Sequence, residues 1–491
     1  MTFYDTRKLN SYDYTHEYNT QWYNTSKYIN PGGKTMKFYN RRKELDFFQK
    51  VKGMDRKYFV VVFGRRRIGK TTLIRKAFED TKAFYYFVEV KKEETLLKDL
   101  SFSFSKAVYS NWYDLFSELF NRYEYIVFDE FQNFHKVNPD ILYALQHAWD
   151  DNKNKTKMIV LGSYVGLMKN IFTDEKMPLF GRADSIINIK EFPLGETVSM
   201  LKDFGYDVHE AFQIYAMVGG VPKYLWLFKD KRDIKQLIYD VFIDEFAPLR
   251  EEARNLLISE FGSEHKTYFS ILEAIAGGMK SLSEISDSSG IETTKLSKYL
   301  TELSEIYEIL SKERPLLSEK KRNYKYRIKD HYYNFFFRNI YRNYSIMEYA
   351  PEKALEIVWN NFNQYMGFQF EEICRQFLLE NPGFFGFIPK DVGKHWGRVP
   401  HRKNESYDID LVAYDDENVL FGECKWSNKK VGEEEYRKLL LRSEYVNTRK
   451  RRKIYALFSR SGFEENLLKL KSKNLFLITP EDMMRVYEVV K

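Results

Sequence analysis

Eight residues decide the fold class of this chain: Gly64-Arg65-Arg66-Arg67-Ile68-Gly69-Lys70-Thr71 fit the pattern G-x-x-x-x-G-K-[ST]. The apolar run 58–63 precedes them, and the helix-compatible run 73–78 follows. Glycines let such a loop wrap closely around an anion, and the positive end of the following helix adds to the attraction. The stretch therefore predicts a buried strand, a phosphate-binding loop and a helix.

The motif assigns ATP and Mg²⁺ as cofactors and gives separate roles to its last residues. Lys70 would contact the β- and γ-phosphates, and the Thr71 hydroxyl would take one Mg²⁺ position. Backbone N–H groups of the loop would meet the other phosphate oxygens. The predicted nucleotide-binding residues of this segment are Gly64, Arg65, Arg66, Arg67, Ile68, Gly69, Lys70, Thr71 and Thr72.

Two carboxylates, Asp129 and Glu130, end the apolar run 125–128 further along the chain. The carboxyl ends of parallel strands meet at one edge of a sheet, so these acids should lie near the phosphate-binding loop. Asp129 suits Mg²⁺ held through water, and Glu130 suits a residue that orients and polarises the attacking water. Alone, such a pair is usually a solvated turn. After this loop, it predicts ATP hydrolysis.

Two more residues are candidates with a structural alternative each. Ser163 follows the apolar run 158–161 and would either sense the γ-phosphate or cap a helix. Arg182 would either neutralise charge in the transition state or form a surface ion pair. An arginine of this kind can act within its own chain or on a neighbouring copy, so a homo-oligomer is also considered.

The apolar runs predict the architecture of the first part of the chain. Short, nearly continuous runs at 58–63, 83–88, 125–128 and 158–161 are typical of parallel strands buried on both faces. The segments between them are long enough for crossover helices. An α/β fold with a parallel sheet is therefore predicted.

Composition restricts the class of protein further. The 491 residues are too many for one core, and 44% hydrophobic with 30% charged residues exclude a disordered chain. Two cysteines, Cys374 and Cys424, exclude a disulfide framework and a four-ligand zinc site. No apolar run approaches the ~20 residues of a membrane span, so a cytoplasmic protein without a membrane partner is expected.

The pattern changes along the chain in a way that predicts three domains after a poorly ordered leader at 1–36. A P-loop ATPase core with a helical lid would occupy 37–260. Amphipathic helices and a hairpin within 261–350 follow the order of a winged helix-turn-helix. Residues 351–491 begin again with a helix and continue with strands and helices.

Several short motifs occur in a fixed order, and together they resemble the archaeal ATPase family within the signal-transduction branch of AAA-type P-loop NTPases. They are 38–41, the 64–72 loop, 128–132, 162–163, 178–182 and 219–222. The resemblance implies an AAA-like core, a winged helix, and often a C-terminal α/β domain similar to PD-(D/E)XK restriction endonucleases. It also implies that the segment 219–222 links the nucleotide state to the helices beyond it. Tyr164 departs from the family, where a second small residue is expected.

The C-terminal segment carries its own acidic pattern. Asp410 lies on one predicted strand, and Glu423 and Lys425 lie on the same face of the next strand. Two carboxylates could bind Mg²⁺, which would activate water against a phosphodiester while Lys425 assists. Glu371 on the preceding helix occupies the position of the accessory acid of the PD-(D/E)XK fold. The same Glu-x-Lys spacing also occurs in hairpins that carry it only for solubility.

DNA is the predicted macromolecular partner. The net charge is +8, and basic runs lie at 320–322 and 449–453. Such runs neutralise phosphates or form solvated turns. Three hypotheses remain open: an ATP-dependent enzyme acting on DNA, an ATP-controlled signalling switch or scaffold with an inactive nuclease-like domain, and a DNA-binding regulator that uses only its winged helix.

Overall fold

The computed structural model describes residues 38–318, 324–402, 405–470 and 472–489. The chain forms two compact units that divide between Lys190 and Glu191. The leader predicted at 1–36 and the basic run 320–322 lie outside the described residues. Each unit is described separately below.

The first unit alternates helices and strands after a first helix. Its elements are α1 Arg42–Lys52, β1 Tyr58–Phe63, α2 Lys70–Ala77, β2 Ala83–Phe87, α3 Glu93–Phe104, α4 Trp112–Arg122, β3 Tyr125–Asp129, α5 Gln132–Val137, α6 Asp140–Asp151, β4 Lys157–Gly162, α7 Val165–Thr173 and β5 Ser185–Asn188. The four strands predicted from apolar runs are all present. The short fifth strand, β5, was not predicted because its burial is only partial.

The strands of the first unit form one parallel sheet in the order β2-β3-β4-β1-β5. The chain thus places β3 and β4 on one side of β1 and returns to add β5 on the other side. The phosphate-binding loop follows β1, Asp129 ends β3 with Glu130 directly after it, and Ser163 follows β4. Parallel strands bring these three strand ends to one edge. The α/β prediction with a parallel sheet is confirmed.

Both faces of this sheet are buried, which explains why its strands read as continuous apolar runs. Phe59, Val61 and Phe63 of β1 belong to the core on one face. Tyr58, Val60 and Val62 belong to the core on the other face. Each buried aliphatic or aromatic side chain contributes roughly 1.5–3 kcal/mol to folding. The sheet is therefore a rigid support for the loops at its carboxyl edge.

The second unit opens with helices and continues to a small hairpin. These elements are α8 Leu194–Asp203, α9 Val208–Val218, α10 Pro222–Leu225, α11 Ile234–Ile238, α12 Glu252–Phe261, α13 His265–Ala276, α14 Leu282–Ser289, α15 Thr293–Thr301, β6 Leu310–Glu313 and β7 Lys325–Ile328. Strands β6 and β7 pair antiparallel. Residues 191–260, which the predicted ATPase core includes, belong to this unit.

The remaining elements of the second unit form a second sheet with its helices. Helices α16 His331–Phe335, α17 Tyr344–Tyr349 and α18 Pro351–Glu380 precede it, and its elements are β8 Asp391–Arg398, β9 Ser406–Tyr414, β10 Asn418–Lys425, α19 Glu433–Glu444, β11 Arg452–Ser459, α20 Glu465–Lys469, β12 Leu475–Ile478 and α21 Pro480–Val489. The order is β12-β11-β10-β9-β8. The pairs β8–β9 and β9–β10 are antiparallel, and β10–β11 and β11–β12 are parallel with α19 and α20 as crossovers.

No helix in the described part of the chain is long and apolar enough to cross a bilayer. Cys374 and Cys424 are both buried free thiols.

Candidate functional site

The loop between β1 and α2 has the backbone shape that its glycines permit. Gly69 has a φ of +86°, and Gly64 has a φ of +153°. A Cβ added at Gly64 would lie 2.4 Å from the carbonyl oxygen of Ile189, so that position also needs glycine for space. No side chain caps the start of α2. Its first N–H groups therefore face the loop, as a phosphate-binding helix requires.

Lys70 is buried inside this loop. Its Nζ donates to the carbonyl oxygens of Gly64 at 2.8 Å and Arg65 at 2.9 Å. Burial lowers the pKa of Lys70 to about 8, although the neighbouring carboxylates of Glu130 and Asp129 act in the opposite direction and raise it. An ammonium held by neutral carbonyls is poised to exchange them for phosphate oxygens, because hydrogen bonds between charged partners are stronger.

Thr71, near the start of α2, contacts Asp129, the last residue of β3. The Thr71 hydroxyl donates to Asp129 Oδ2 at 2.7 Å, and the Tyr85 hydroxyl donates to the same oxygen at 2.8 Å. Mg²⁺ prefers hard oxygen ligands and keeps several waters. A hydroxyl and a carboxylate side by side, next to a phosphate-binding loop, fit that cation. Burial and the neighbouring Asp129 raise the pKa of Tyr85.

Glu130 lies beside them in a constrained backbone conformation. Its φ of +53° is in the left-handed region, which costs a non-glycine residue of order 1 kcal/mol or more. Its backbone N–H donates to Asp129 Oδ1 at 2.9 Å. Its carboxylate oxygen Oε2 accepts from Ser163 Oγ at 2.6 Å and from Gln132 Nε2. Ser163 thus contacts Glu130, and the helix that follows it, α7, has Tyr164 at its N-cap without a side-chain cap.

Sequence reasoning missed several side chains that support this edge. Buried Arg41 donates to the carbonyl oxygens of Ile68 at 3.3 Å and Lys190 at 2.5 Å, so it ties the loop to the segment after β5. Tyr164, at a position where the resemblance predicts a second small residue, accepts a hydrogen bond from Arg66 at 2.9 Å. Arg41 was named only as part of the motif 38–41, and Tyr164 only as a departure from the expected pattern.

Arg182 lies at the opposite edge of the sheet. It precedes β5, whose first residue Ser185 pairs with Val60 near the start of β1. Its Nη2 lies 3.2 Å from Asp150 Oδ2, and its Nη1 donates to the Phe180 carbonyl oxygen at 3.1 Å. The structure does not bring Arg182 to the phosphate-binding loop of its own chain.

The C-terminal candidates lie on neighbouring strands of the second sheet. Glu423 is 3% exposed, and its carboxylate pairs with Lys425 at 2.6 Å and with Arg442 at 3.1 Å. Asp410 Oδ2 accepts from the backbone N–H of Cys424 at 3.0 Å. Leu411 pairs with Gly422 between β9 and β10, so Asp410 and Glu423 are the next residues on the two strands. That they form one metal-dependent site stays a prediction.

Glu371 also belongs to this group and pairs with Lys394 of β8. Burial, together with the carboxylates of Glu371 and Glu423, raises the pKa of Asp410 well above its ordinary value. Within the described residues, no group of three or more His, Cys, Asp or Glu side chains is arranged to hold a metal ion. The arrangement is therefore a pair of close carboxylates with cations on either side, and Lys394 and Arg442 are additions that the sequence did not reveal.

The basic run 449–453 is partly committed to internal contacts. Arg451 donates to the Asp415 carbonyl oxygen at 2.5 Å, and Lys453 pairs with Glu444 at 2.6 Å. Arg449 and Lys450 have positive φ values and form a turn. These contacts favour the solvated-turn interpretation of the run. DNA association stays a prediction.

The sheet order, the loop and the Thr71–Asp129 contact define the class of a P-loop NTPase. Comparison with known proteins agrees: residues 38–228 match a family described as an ATPase domain predominantly from Archaea, and 336–439 match one described as archaeal and bacterial proteins of unknown function. An uncharacterized protein of Methanocaldococcus jannaschii is 34% identical over 446 residues, which are 86% of this chain and 95% of that protein. The chain belongs to this family of archaeal ATPase-domain proteins.

Two solved structures align with this chain at lower similarity. The Walker-type ATPase PABY2304 of Pyrococcus abyssi aligns with a TM-score of 0.46 and 22% identity, over 61% of this chain and 96% of that one. The ORC2 protein of Aeropyrum pernix aligns with a TM-score of 0.46 and 15% identity, over 69% of this chain and 98% of that one.

Proposed function

We propose that this protein binds ATP with Mg²⁺ and hydrolyses it at the carboxyl edge of the first sheet. The observation that carries the proposal is the meeting of three strand ends: Lys70–Thr71 after β1, Asp129–Glu130 at β3 and Ser163 after β4. Lys70 would hold the β- and γ-phosphates, and Thr71 and Asp129 would hold Mg²⁺. Bound Mg²⁺ supplies neutralisation of the charge on the phosphoryl oxygens.

Glu130 would act on the attacking water. Its carboxylate accepts a proton as the water oxygen bonds to the γ-phosphorus and the bond to the β-phosphate oxygen breaks, which yields ADP and phosphate. Asp129 cannot take this role equally well, because Thr71, Tyr85 and the Glu130 N–H already occupy its two oxygens.

The first test compares ATP turnover of the wild type with that of Glu130→Gln. We expect phosphate release to require Mg²⁺ and to fall about 100-fold or more in Glu130→Gln, because general bases contribute 10²- to 10⁴-fold. Nucleotide affinity should stay near the wild-type value. Phosphate release and nucleotide binding are measured side by side.

The matched control for this substitution is Glu118→Gln. Glu118 lies on the surface of the same unit and pairs with Arg122 at 2.6 Å, so its neutralisation should leave turnover unchanged. Wild-type turnover in Glu130→Gln would contradict the role of Glu130.

A second candidate function rests on the C-terminal carboxylates. Asp410 and Glu423 are neighbouring carboxyl groups, and Lys425 pairs with Glu423, which supports a divalent-cation site and metal-dependent phosphodiester cleavage. The order α13, α14, α15 and the hairpin β6–β7 supports a winged helix in the same unit. The alternative is a switch or scaffold in which the cation pairs of Glu423 have only a structural role.

Cation binding at this site has a direct thermal test. Mg²⁺ or Mn²⁺ should raise the Tm of the wild type, since a ligand that binds only the folded state stabilises it by mass action. Each kcal/mol of binding corresponds to about 2–4 °C for a unit of roughly 150–250 residues, and to less for a larger one. Asp410→Asn should abolish the increase in the Tm of the second unit, because it removes one of the two carboxylates that would bind the cation.

Asp416→Asn is the control for the thermal test. Asp416 lies at the tip between β9 and β10, is exposed and pairs with Lys390 at 2.6 Å. The cation response should survive in this variant. An equal response in Asp410→Asn and the wild type would remove the C-terminal cation site and favour the scaffold hypothesis.

A further inference from the structure

The Glu130 carboxylate accepts both of its side-chain hydrogen bonds on one oxygen atom. Ser163 Oγ donates to Oε2 at 2.6 Å, and Gln132 Nε2 donates to the same Oε2. Among the described residues, no donor meets the other oxygen, Oε1. A carboxylate fixed in this way cannot rotate freely, and the oxygen left without a donor is the one that can receive a proton.

The burial and the hydrogen bonding of Gln132 favour a functional role over a stabilising one. It is fully buried, and within the described part of the chain its amide oxygen has no hydrogen-bond partner. Burying an unsatisfied polar atom costs roughly 1–3 kcal/mol. A methionine of similar length would avoid this cost and fill the same space. The one contact that only the amide can make is its bond to Glu130.

We infer that Gln132 and Ser163 are positioning residues, which hold Glu130 with Oε1 toward the attacking water. The inference rests on the proposed function, because it concerns the general base of that reaction. The left-handed backbone at Glu130 supplies a third constraint on the same side chain. Loss of either donor would let the carboxylate turn, and small misplacements of a catalytic group cost up to about 100-fold in rate.

The test uses Gln132→Met and Ser163→Ala in the full chain, with steady-state ATP turnover and separate nucleotide binding. Each substitution should lower kcat roughly 10- to 100-fold and leave KM and nucleotide affinity within about twofold. Ser163→Thr, which keeps the hydroxyl, should recover most of the lost rate. If Gln132→Met does not fold, Ser163→Ala and its rescue by Ser163→Thr decide the question.

Asn133→Leu is the matched control. Asn133 is the next residue of α5, and its side-chain amide donates to the Val88 carbonyl oxygen at 2.8 Å, whereas its bond to Glu130 runs from the backbone N–H to the backbone carbonyl oxygen and is kept in the variant. Its substitution also removes an amide hydrogen bond in the same helix, but kcat should not change.

A double-mutant cycle separates positioning from a general structural effect. In a Glu130→Gln background, Gln132→Met should cause no further loss of the residual single-turnover rate, since its effect passes through the carboxylate. An equal fold-loss in both backgrounds, or a wild-type kcat in Gln132→Met and Ser163→Ala, would overturn the inference. Failure of the proposed function looks different, because the wild type itself would then release no phosphate.

Discussion

Lys70→Ala should abolish nucleotide binding in any practical range, with affinity about 100-fold lower or worse. The ammonium of Lys70 would donate to two phosphate groups, and each hydrogen bond to a charged partner contributes roughly 1.5–3 kcal/mol. Two such bonds correspond to at least a hundredfold in the dissociation constant. Turnover should become undetectable as a consequence. Binding is measured by calorimetry or with a fluorescent ATP analogue.

The substitution must be separated from damage to the loop itself. Lys70 donates to the carbonyl oxygens of Gly64 and Arg65, so its loss leaves two buried acceptors without this donor. Lys70→Met keeps the aliphatic part of the side chain and should bind as weakly as Lys70→Ala. Equal melting temperatures of Lys70→Met and the wild type would exclude unfolding as the cause.

Lys76→Ala provides the matched control on the same helix. Lys76 is exposed on α2 and pairs with Glu79 at 2.7 Å, so its removal should change affinity less than twofold. Comparable losses in Lys76→Ala and Lys70→Ala would mean that the effect comes from net charge. Binding of ATP by Lys70→Met at near wild-type affinity would contradict the assignment of the loop.

The strands and the loop could be predicted from the sequence because their signals are local. A strand buried on both faces, such as β1, needs apolar residues at every position, and the G-x-x-x-x-G-K-T pattern sits directly between it and α2. Asp129 and Glu130 were predictable for the same reason. They end an apolar run, and parallel strands place such ends together.

The contacts between side chains could not be predicted, since they depend on strand order. Nothing local indicates that β4 lies between β1 and β3, which is what brings Ser163 to Glu130. Gln132 was noted only as part of a motif, although its amide contacts the Glu130 carboxylate. In the second sheet, Arg442 reaches Glu423 from α19, 19 residues further along the chain. Solvated helices carry many such arginines, so no local signal distinguishes this one from the others.

Strand order also decides how Arg182 could act. Arg182 precedes β5, and β5 runs parallel to β1 with Ser185 opposite Val60, whereas the phosphate-binding loop begins after Phe63. With a rise of about 3.3 Å per residue, the two edges of the sheet lie roughly 15 Å apart. The remaining alternatives are action on the nucleotide of a neighbouring copy, or a surface ion pair with Asp150.

If Arg182 acts on a neighbour, Arg182→Ala should lower kcat about 10³-fold or more with little change in ATP affinity, because an arginine supplied in trans stabilises charge that develops only in the transition state. Arg56→Ala is the control. Arg56 is an exposed arginine at the same edge, paired with Asp184 at 2.7 Å, and its loss should leave turnover unchanged.

Mixing two inactive variants distinguishes the alternatives for Arg182. Arg182→Ala subunits keep Glu130, and Glu130→Gln subunits keep Arg182, so an interface between the two kinds contains one complete site. At equal amounts with free exchange, about a quarter of the interfaces in a head-to-tail assembly are complete, and turnover should recover to that extent. Turnover per subunit of the wild type should also rise with protein concentration. No recovery at any mixing ratio, with a concentration-independent wild type, would leave Arg182 with its surface ion pair and no part in hydrolysis.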